Sequence, residues 1–313
     1  MANVAAGTVW NLPNYTGELF TSDLINTPFL SAIGGLTGGM QTTNFEFATD
    51  SQYDQETAAQ PAITETASLT APTAISYVRG QNKNVTQIFH EQVSISYAKA
   101  SNSGRLSGIN TAGSVNNVVS EKDWQIAKAL EKIARDVEYT FLNGVYQIST
   151  DAGTANKTRG MLAHCTVNTV DASSATLSKA LMDSLLLEMF NNGAMFRMPV
   201  LLCGGFQKQK LSDIYGYAPE DRNVGGLNIK QIETDFGNIG IMPAHRFMPA
   251  DDILIADLSV VAPVFQTVPE KGNLFYEDLA KTGASEKGQI FGQIGLDHGP
   301  SFAHGSLTSL STS

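Results

Sequence analysis

One segment restricts the possible folds more than any other: Glu121 to Asn143 carries the pattern of a single long amphipathic helix. Ile126, Leu130, Ile133, Val137 and Phe141 recur at spacings that place them on one apolar face, with Ala127 and Ala134 beside them. Ser120 stands ready as N-cap, Glu121 and Asp123 favour the positive end of the helix dipole, and Asn143-Gly144 supplies the stop. Glu131 with Arg135, and Lys132 with Asp136, are spaced to pair along the solvent side. At 1.5 Å per residue the segment makes a rod about 35 Å long. Such a rod needs distant partners. Leu130, midway along it, is expected to pack on the strands Val264 to Val268 and Gln289 to Leu296.

Charge is the second constraint. From Met1 to Val78 there is no Lys or Arg, whereas Glu18, Asp23, Glu46, Asp50, Asp54, Glu56 and Glu65 are acidic. The rest of the chain holds all 20 basic residues and is close to neutral, so the first quarter carries most of the net charge of −10. A free-standing domain gains little from that segregation, whereas an acidic arm lying on a neighbour's basic surface gains steering and register. Clustered Lys and Arg, the requirement for binding nucleic acid through its phosphates, are absent from that region.

The chain has 313 residues, with 42% hydrophobic and only 16% charged, against roughly 25% charged in an average soluble domain. Thr, Ser, Asn, Gln and Gly supply the remaining polarity, and such groups are buried against neighbours at modest desolvation cost. No apolar run approaches the roughly 20 residues that span a bilayer. Met1 to Trp10 lacks the basic start of a signal peptide, so synthesis in the cytoplasm is expected. Cys165 and Cys203 form no CxxC pair and are expected as free, buried thiols. No linker divides the chain, and one large, elaborated α+β domain is the simplest arrangement.

Thr8 to Thr42 reads as an irregular arm, punctuated by Pro13, Pro28, Gly34-Gly35 and Gly38-Gly39. Asn44 to Phe47 alternates as a strand, a polar excursion runs from Asp50 to Thr73, and a return strand follows from Ile75. Together these predict a long extended hairpin, and excursions of about 20 residues in compact proteins are usually functional or interfacial. Val93 to Tyr97 also alternates at period two. Beyond the long helix, helices at Ser178 to Asn192 and Phe206 to Tyr215 flank the strand Val200 to Leu202. Strands then dominate: Ile229 to Glu233, Ile239 to Met242, Ile253 to Ala256, Val264 to Val268 and Gln289 to Leu296.

Catalytic motifs are fragmentary. Asp235-Phe236-Gly237 matches a kinase metal-binding triplet, but its companion motifs are missing and a turn between strands accounts for it. His90, His164, His245, His298 and His304 show no metal-ligand spacing and read as scattered structural histidines. Gly204-Gly205 before Lys208 and Lys210 lacks the ending of a phosphate loop. No cofactor, metal or catalytic residue is expected.

Several strings resemble a family of phage and prophage head proteins: Tyr15 to Phe20, Pro61 to Glu65, Ile133 to Glu138, Thr158 to Gly160 and Gln293 to Pro300. The order of elements is likewise similar to the tailed-phage major capsid fold, the Hong Kong 97-like fold. That resemblance implies a structural subunit, not an enzyme. Residues 1–42 would be the N-terminal arm, 43–98 the extended loop and 161–261 the axial domain. Residues 99–160 and 262–300 would form the peripheral domain around spine helix 121–143, followed by a 301–313 tail. The expected assembly interface comprises Glu18, Asp23, Phe45, Phe47, Asp50, Asp54, Glu56, Glu65, Arg79 and Lys83.

The implied partners are further copies of the chain in hexamers and pentamers, with scaffold, portal and decoration proteins, and packaged DNA held without sequence-specific contact. No membrane partner is implied. The place would be the virion, assembled in the bacterial cytoplasm. An encapsulin-like nanocompartment shares the fold, and an acidic soluble hydrolase or a surface-layer or tail-tube protein are rivals from other classes. Some relatives of this fold join a hairpin Lys to a neighbour's Asn; only Lys83 lies near this hairpin, so non-covalent shells are expected.

Overall fold

The computed structural model describes residues 27–53, 58–101, 121–215, 221–224 and 227–312. The long helix spans Glu121–Asn143, α4 in chain order after the short helices α1 (Pro28–Ala32), α2 (Glu65–Ser68) and α3 (Tyr97–Ser101). Its buried residues all lie in the second half: Ile133, Val137, Glu138, Phe141 and Leu142. Ile126 and Ala129 pack beside the core, but Leu130 remains 37% exposed. The expectation for Leu130 is therefore corrected. Ile126, Ala129 and Ile133 make the stripe that meets the core, and Leu130 falls on the flank of that stripe.

Helix α4 lies over a five-stranded sheet in which β13 (Ser285–Asp297) is central. β4 (Gln87–Ser96) pairs antiparallel along one side of β13. β11 (Ala262–Gln266) and β12 (Leu274–Asp278) pair antiparallel with it at successive registers. β1 (Met40–Thr42) adds to β11 in parallel. The alternation expected near Val93 thus belongs to the sheet, not to the extended loop. On α4, Lys128 binds Glu131 at 2.9 Å, and Lys132, expected beside Asp136, reaches across to Glu91 on β4.

The second sheet is seven-stranded and mixed. It runs β5 (Thr169–Asp171), β14 (Gly305–Thr308), β10 (Ile253–Asp257), β6 (Pro199–Cys203), β9 (Gly237–Pro243), β8 (Leu227–Thr234) and β7 (Asp221–Val224). Residues 305–308 sit between β5 and β10, so the expected 301–313 tail contributes an interior strand. Helix α5 (Met161–His164) lies between α4 and this sheet. Helices α6 (Lys179–Asn191) and α7 (Gly205–Tyr215) pack on one of its faces.

Strands β6 and β10 are buried along their whole lengths, the pattern of strands covered on both faces. Period-two alternation sends Val200, Leu202, Leu254 and Ala256 into a core shared with α4 and the five-stranded sheet. Leu201, Cys203, Ile253 and Ile255 face a second core under Met182, Leu185, Leu186 and Met189 of α6. The two sheets therefore hold one core in common.

The expected arm of residues 1–42 is also shorter than the sequence suggested. Phe29 and Leu30 are buried at 0% and 2% exposure, and β1 is built into the sheet. Residues from Pro28 onward belong to the body because their apolar side chains fill the gap above α4. Glu18 and Asp23 lie outside the described residues.

Candidate assembly site

The extended element is an antiparallel pair, β2 (Glu46–Tyr53) with β3 (Arg79–Val85), carrying a bulge between Ala48 and Asp50. Its return strand begins at Arg79, later than Ile75. Asn84 fastens the root: its Nδ2 donates to the carbonyls of Leu296 at 2.7 Å and Arg159 at 3.1 Å. Its Oδ1 accepts from Arg159 N–H at 2.7 Å and Val85 N–H at 2.9 Å. Every hydrogen-bonding position of this fully buried amide is thereby used. Thr86 adds a bond from Oγ1 to Gln266 at 2.8 Å. Phe47 lies over Gly295, where a Cβ would come within 2.9 Å of its ring. The root is rigid because backbone, amide and ring all lock into β13.

Beyond the root the described residues open to solvent. Every residue from 58 to 81 is exposed. Ile63, Leu69, Ile75, Tyr77 and Val78 are 58–84% exposed, although α2 is locally capped by Thr64 accepting from Ala67 N–H at 3.2 Å. Of the expected interface residues, Phe45 is 53% exposed at the root, Phe47 is half-buried, and Glu65 opens α2 in solvent. Asp50 sits at the bulge, accepting from Asn82 N–H at 3.2 Å. Arg79 is exposed at the start of β3, and Lys83 pairs with Glu46 at 3.2 Å. Asp54 and Glu56 lie outside the described residues. Nothing in the sequence around Asn84 hints at its anchoring role.

The fragments of catalytic motifs fall into structural places. Asp235 and Phe236 form the turn joining β8 to β9, and Gly237 takes φ 120° there. Gly204 bridges β6 and α7. Both cysteines are free and buried, and burial pushes each thiol up to about 12, far from a reactive thiolate. A cleft of about 350 Å³ between β4 and α4 is lined by residues that include His90, Glu91, Asp136 and Tyr139. Glu91 is engaged by Lys132, and burial raises Asp136 above the usual carboxylate range. Among the described residues, no cluster of His, Cys, Asp and Glu suits a metal, and no helix is long and apolar enough to cross a membrane.

Two buried ionisable groupings escaped the sequence reading. The histidines are not all scattered: His164 and His298 stack with ring centroids 3.4 Å apart, and His304 stands edge-on to His164 at 6.1 Å. The other is Glu138, at 0% exposure, which accepts the backbone N–H groups of Phe29 and Leu30. Its one visible signal was a carboxylate one turn before Leu142, inside an apolar stripe.

Across residues 2–311 the sequence matches the family model of the SU10 major capsid protein. No curated protein matches it. Among solved structures it is similar to the capsid asymmetric unit of cyanophage A-1(L), with TM-score 0.64 and 13% identity over 94% of this chain and 95% of that one. The capsid of Myoviridae phage XM1 gives 0.58 and 13%, over 96% of this chain and 98% of that one. The SrpI encapsulin of Synechococcus elongatus PCC 7942 gives 0.59 and 11%, over 100% and 98%. At such identities the likeness is one of fold, the Hong Kong 97-like fold, and the family match supplies the rest: the chain belongs to the SU10 major capsid protein family.

Proposed function

We propose that this chain is the repeating subunit of an icosahedral head shell, enclosing the genome of a tailed phage or prophage in the virion. The observation that carries the proposal is the extended element: a firmly rooted projection, acidic at Asp50 and Glu65, on which Ile63, Leu69, Ile75 and Val78 stand 58–84% exposed. Large apolar side chains gathered on one exposed projection mark a contact with another molecule. A projection that docks on the next copy makes a heterologous contact, which closes into rings and shells when repeated around axes.

In this reading the element between β2 and β3 is the extended loop, α4 with the five-stranded sheet is the peripheral region, and the seven-stranded sheet is the axial region of hexamers and pentamers. Scaffold, portal and decoration proteins would meet the assembled surface, and packaged DNA would be held without sequence-specific contact. An encapsulin-like compartment uses the same fold, and the family match favours the phage head. The contents of purified particles, DNA or protein, separate the two.

Electron microscopy of the purified protein tests the proposal. Closed icosahedral particles are expected from the wild type. Replacing residues 58–78 by a short Gly-Ser turn is expected to leave a soluble, folded subunit that forms none. Tubes, flat lattices or a stable small oligomer from the wild type would overturn the shell reading, and full-sized shells from the shortened chain would overturn the role of the loop.

A further inference from the structure

Three stretches of chain meet at Asn84: its own strand β3, the segment 158–160, and the end of β13. The middle one is fastened to the end of the spine helix, because Gly160 N–H donates to the Gly144 carbonyl and Gly144 N–H to the Thr140 carbonyl, both at 2.8 Å. It is fastened to β13 as well, where Leu296 N–H donates to Thr158 Oγ1 at 3.2 Å. Glycine permits this close approach. A Cβ at 144 would come within 2.5 Å of the carbonyl oxygens of Thr140 and Thr158, and one at 160 within 2.5 Å of Gly144 N. Into this joint the projection inserts the amide of Asn84, bonded to Arg159 on one side and Leu296 on the other.

The chemistry of the place calls for an amide. Nδ2 gives its two protons to two carbonyls, and Oδ1 takes two N–H groups. A carboxylate of the same shape has no proton to give and would set an oxygen against the Leu296 carbonyl at 2.7 Å. Thr86 binds Gln266 of β11 and Phe47 covers Gly295 of β13, so both brace the projection against the sheet. Asn84 holds it to the helix end as well. At roughly 3.3 Å per residue the eight residues of β2 reach about 25 Å, so a tilt of about 10° at the root carries the far end about 4 Å sideways. Interface cores are packed as closely as protein interiors and do not absorb such a shift.

We propose that Asn84 is a positioning residue for assembly: its amide sets the angle at which the β2–β3 projection leaves the spine helix, and through that angle the diameter of the shell. A heterologous contact closes only when the rotation from one copy to the next is right, and a small error repeated around a ring changes what closes. The link to diameter rests on the shell reading. The angle itself belongs to the single subunit and is measured there.

Spin labels on Ser51→Cys, near the far end of β2, and on Ala127→Cys, at an exposed position of the spine helix, read the angle as a distance in the unassembled full chain. Both native cysteines are buried. With Asn84 in place a single narrow distance is expected. Asn84→Asp is expected to widen the distribution roughly twofold and, without labels, to cut the yield of shells of wild-type diameter in electron micrographs roughly tenfold. An amide that only stabilised the fold would lower the melting temperature and leave distance and diameter alone. A broad wild-type distribution, a narrow one in Asn84→Asp, or shells of normal diameter from that variant overturns the proposal. Phe47→Leu leaves every bond of Asn84 in place and is expected to keep both the narrow distance and the diameter; if it broadens the distance, the ring sets the angle and the amide does not. That variant decides even where Asn84→Asp fails to fold. A wild type that forms no shells ends the shell reading, while the distances still decide the role of Asn84.

Discussion

Two neighbouring apolar residues on the spine helix have opposite fates. Ile133 is 1% exposed and sits under the sheet, whereas Leu130, one turn earlier on the same face, stands 37% open. Replacing Ile133 with Asp would bury a carboxylate without a partner, a loss of about 3–5 kcal/mol and a large share of a typical domain's stability. Leu130→Asp can turn its carboxylate to water and should cost less than about 1 kcal/mol in the isolated subunit. Chemical denaturation of the two variants checks the contrast, and equal losses would mean that Leu130 is covered. Periodicity revealed the helix and its general face from sequence, but it could not reveal which flank of that face meets the core. Glu138 and Asn84 were hidden for a related reason: their roles depend on backbone groups more than 70 positions away in sequence.

At the scale of elements, the connection from β13 to β14 joins the two sheets, and three imidazoles are packed around it. Gly299 carbonyl bonds His164 Nε2 at 3.0 Å and His298 Nδ1 at 3.1 Å, while His304 Nε2 bonds the carbonyl of His298 at 2.7 Å. Asp257 N–H donates to His304 Nδ1 at 3.2 Å, which requires that nitrogen to be unprotonated. Burial, reinforced by mutual repulsion, lowers His164 to about 3 and His298 to about 4; burial likewise lowers His304 to about 4. The folded state thus resists protonation that the unfolded chain accepts near 6.5. Stability is fully present above pH 6.5 and is lost as the pH falls towards 4.

A displacement from 6.5 to about 4 corresponds to about 3 kcal/mol for one histidine. Glu138 and Asp297, raised by burial to about 7 and about 6, work in the opposite sense over part of the same window. Three histidines outweigh two carboxyls, so the thermal midpoint is expected to drop between pH 6.5 and 4. His298→Phe retains a ring to stack on His164 and should shallow the drop; an unchanged slope would remove His298 from the joint. Spacing alone made these residues look scattered, because a chain reversal at Gly299, with φ 61°, brings them together.

For the whole molecule, the shells are expected to be non-covalent. Lys83 is the basic residue nearest the loop apart from Arg79, and its ammonium is already paired with Glu46; the adjacent Asn84 is enclosed at the root. Denaturing electrophoresis of purified particles should give a single subunit band, and a ladder of multimers would contradict this. The order of α and β segments was legible from apolar periodicity, including the bounds of α4 and the strand core of the second sheet. The short pieces α1, β1 and β14 were not, because segments of three to five residues carry too little periodicity to register and owe their form to distant partners.

The position of β14 also sets a timetable for the newborn protein. Its residues, Gly305–Thr308, lie between a strand near the middle of the chain, β5, and one much later, β10. At roughly 5–20 residues per second, a ribosome needs about 7–27 s to pass from β5 to β14. Through that interval β5 has no strand to pair with, and the seven-stranded sheet cannot close. Closure waits for β14 to clear the ribosome, so the first strand of this sheet to be made is the one held longest without its neighbour.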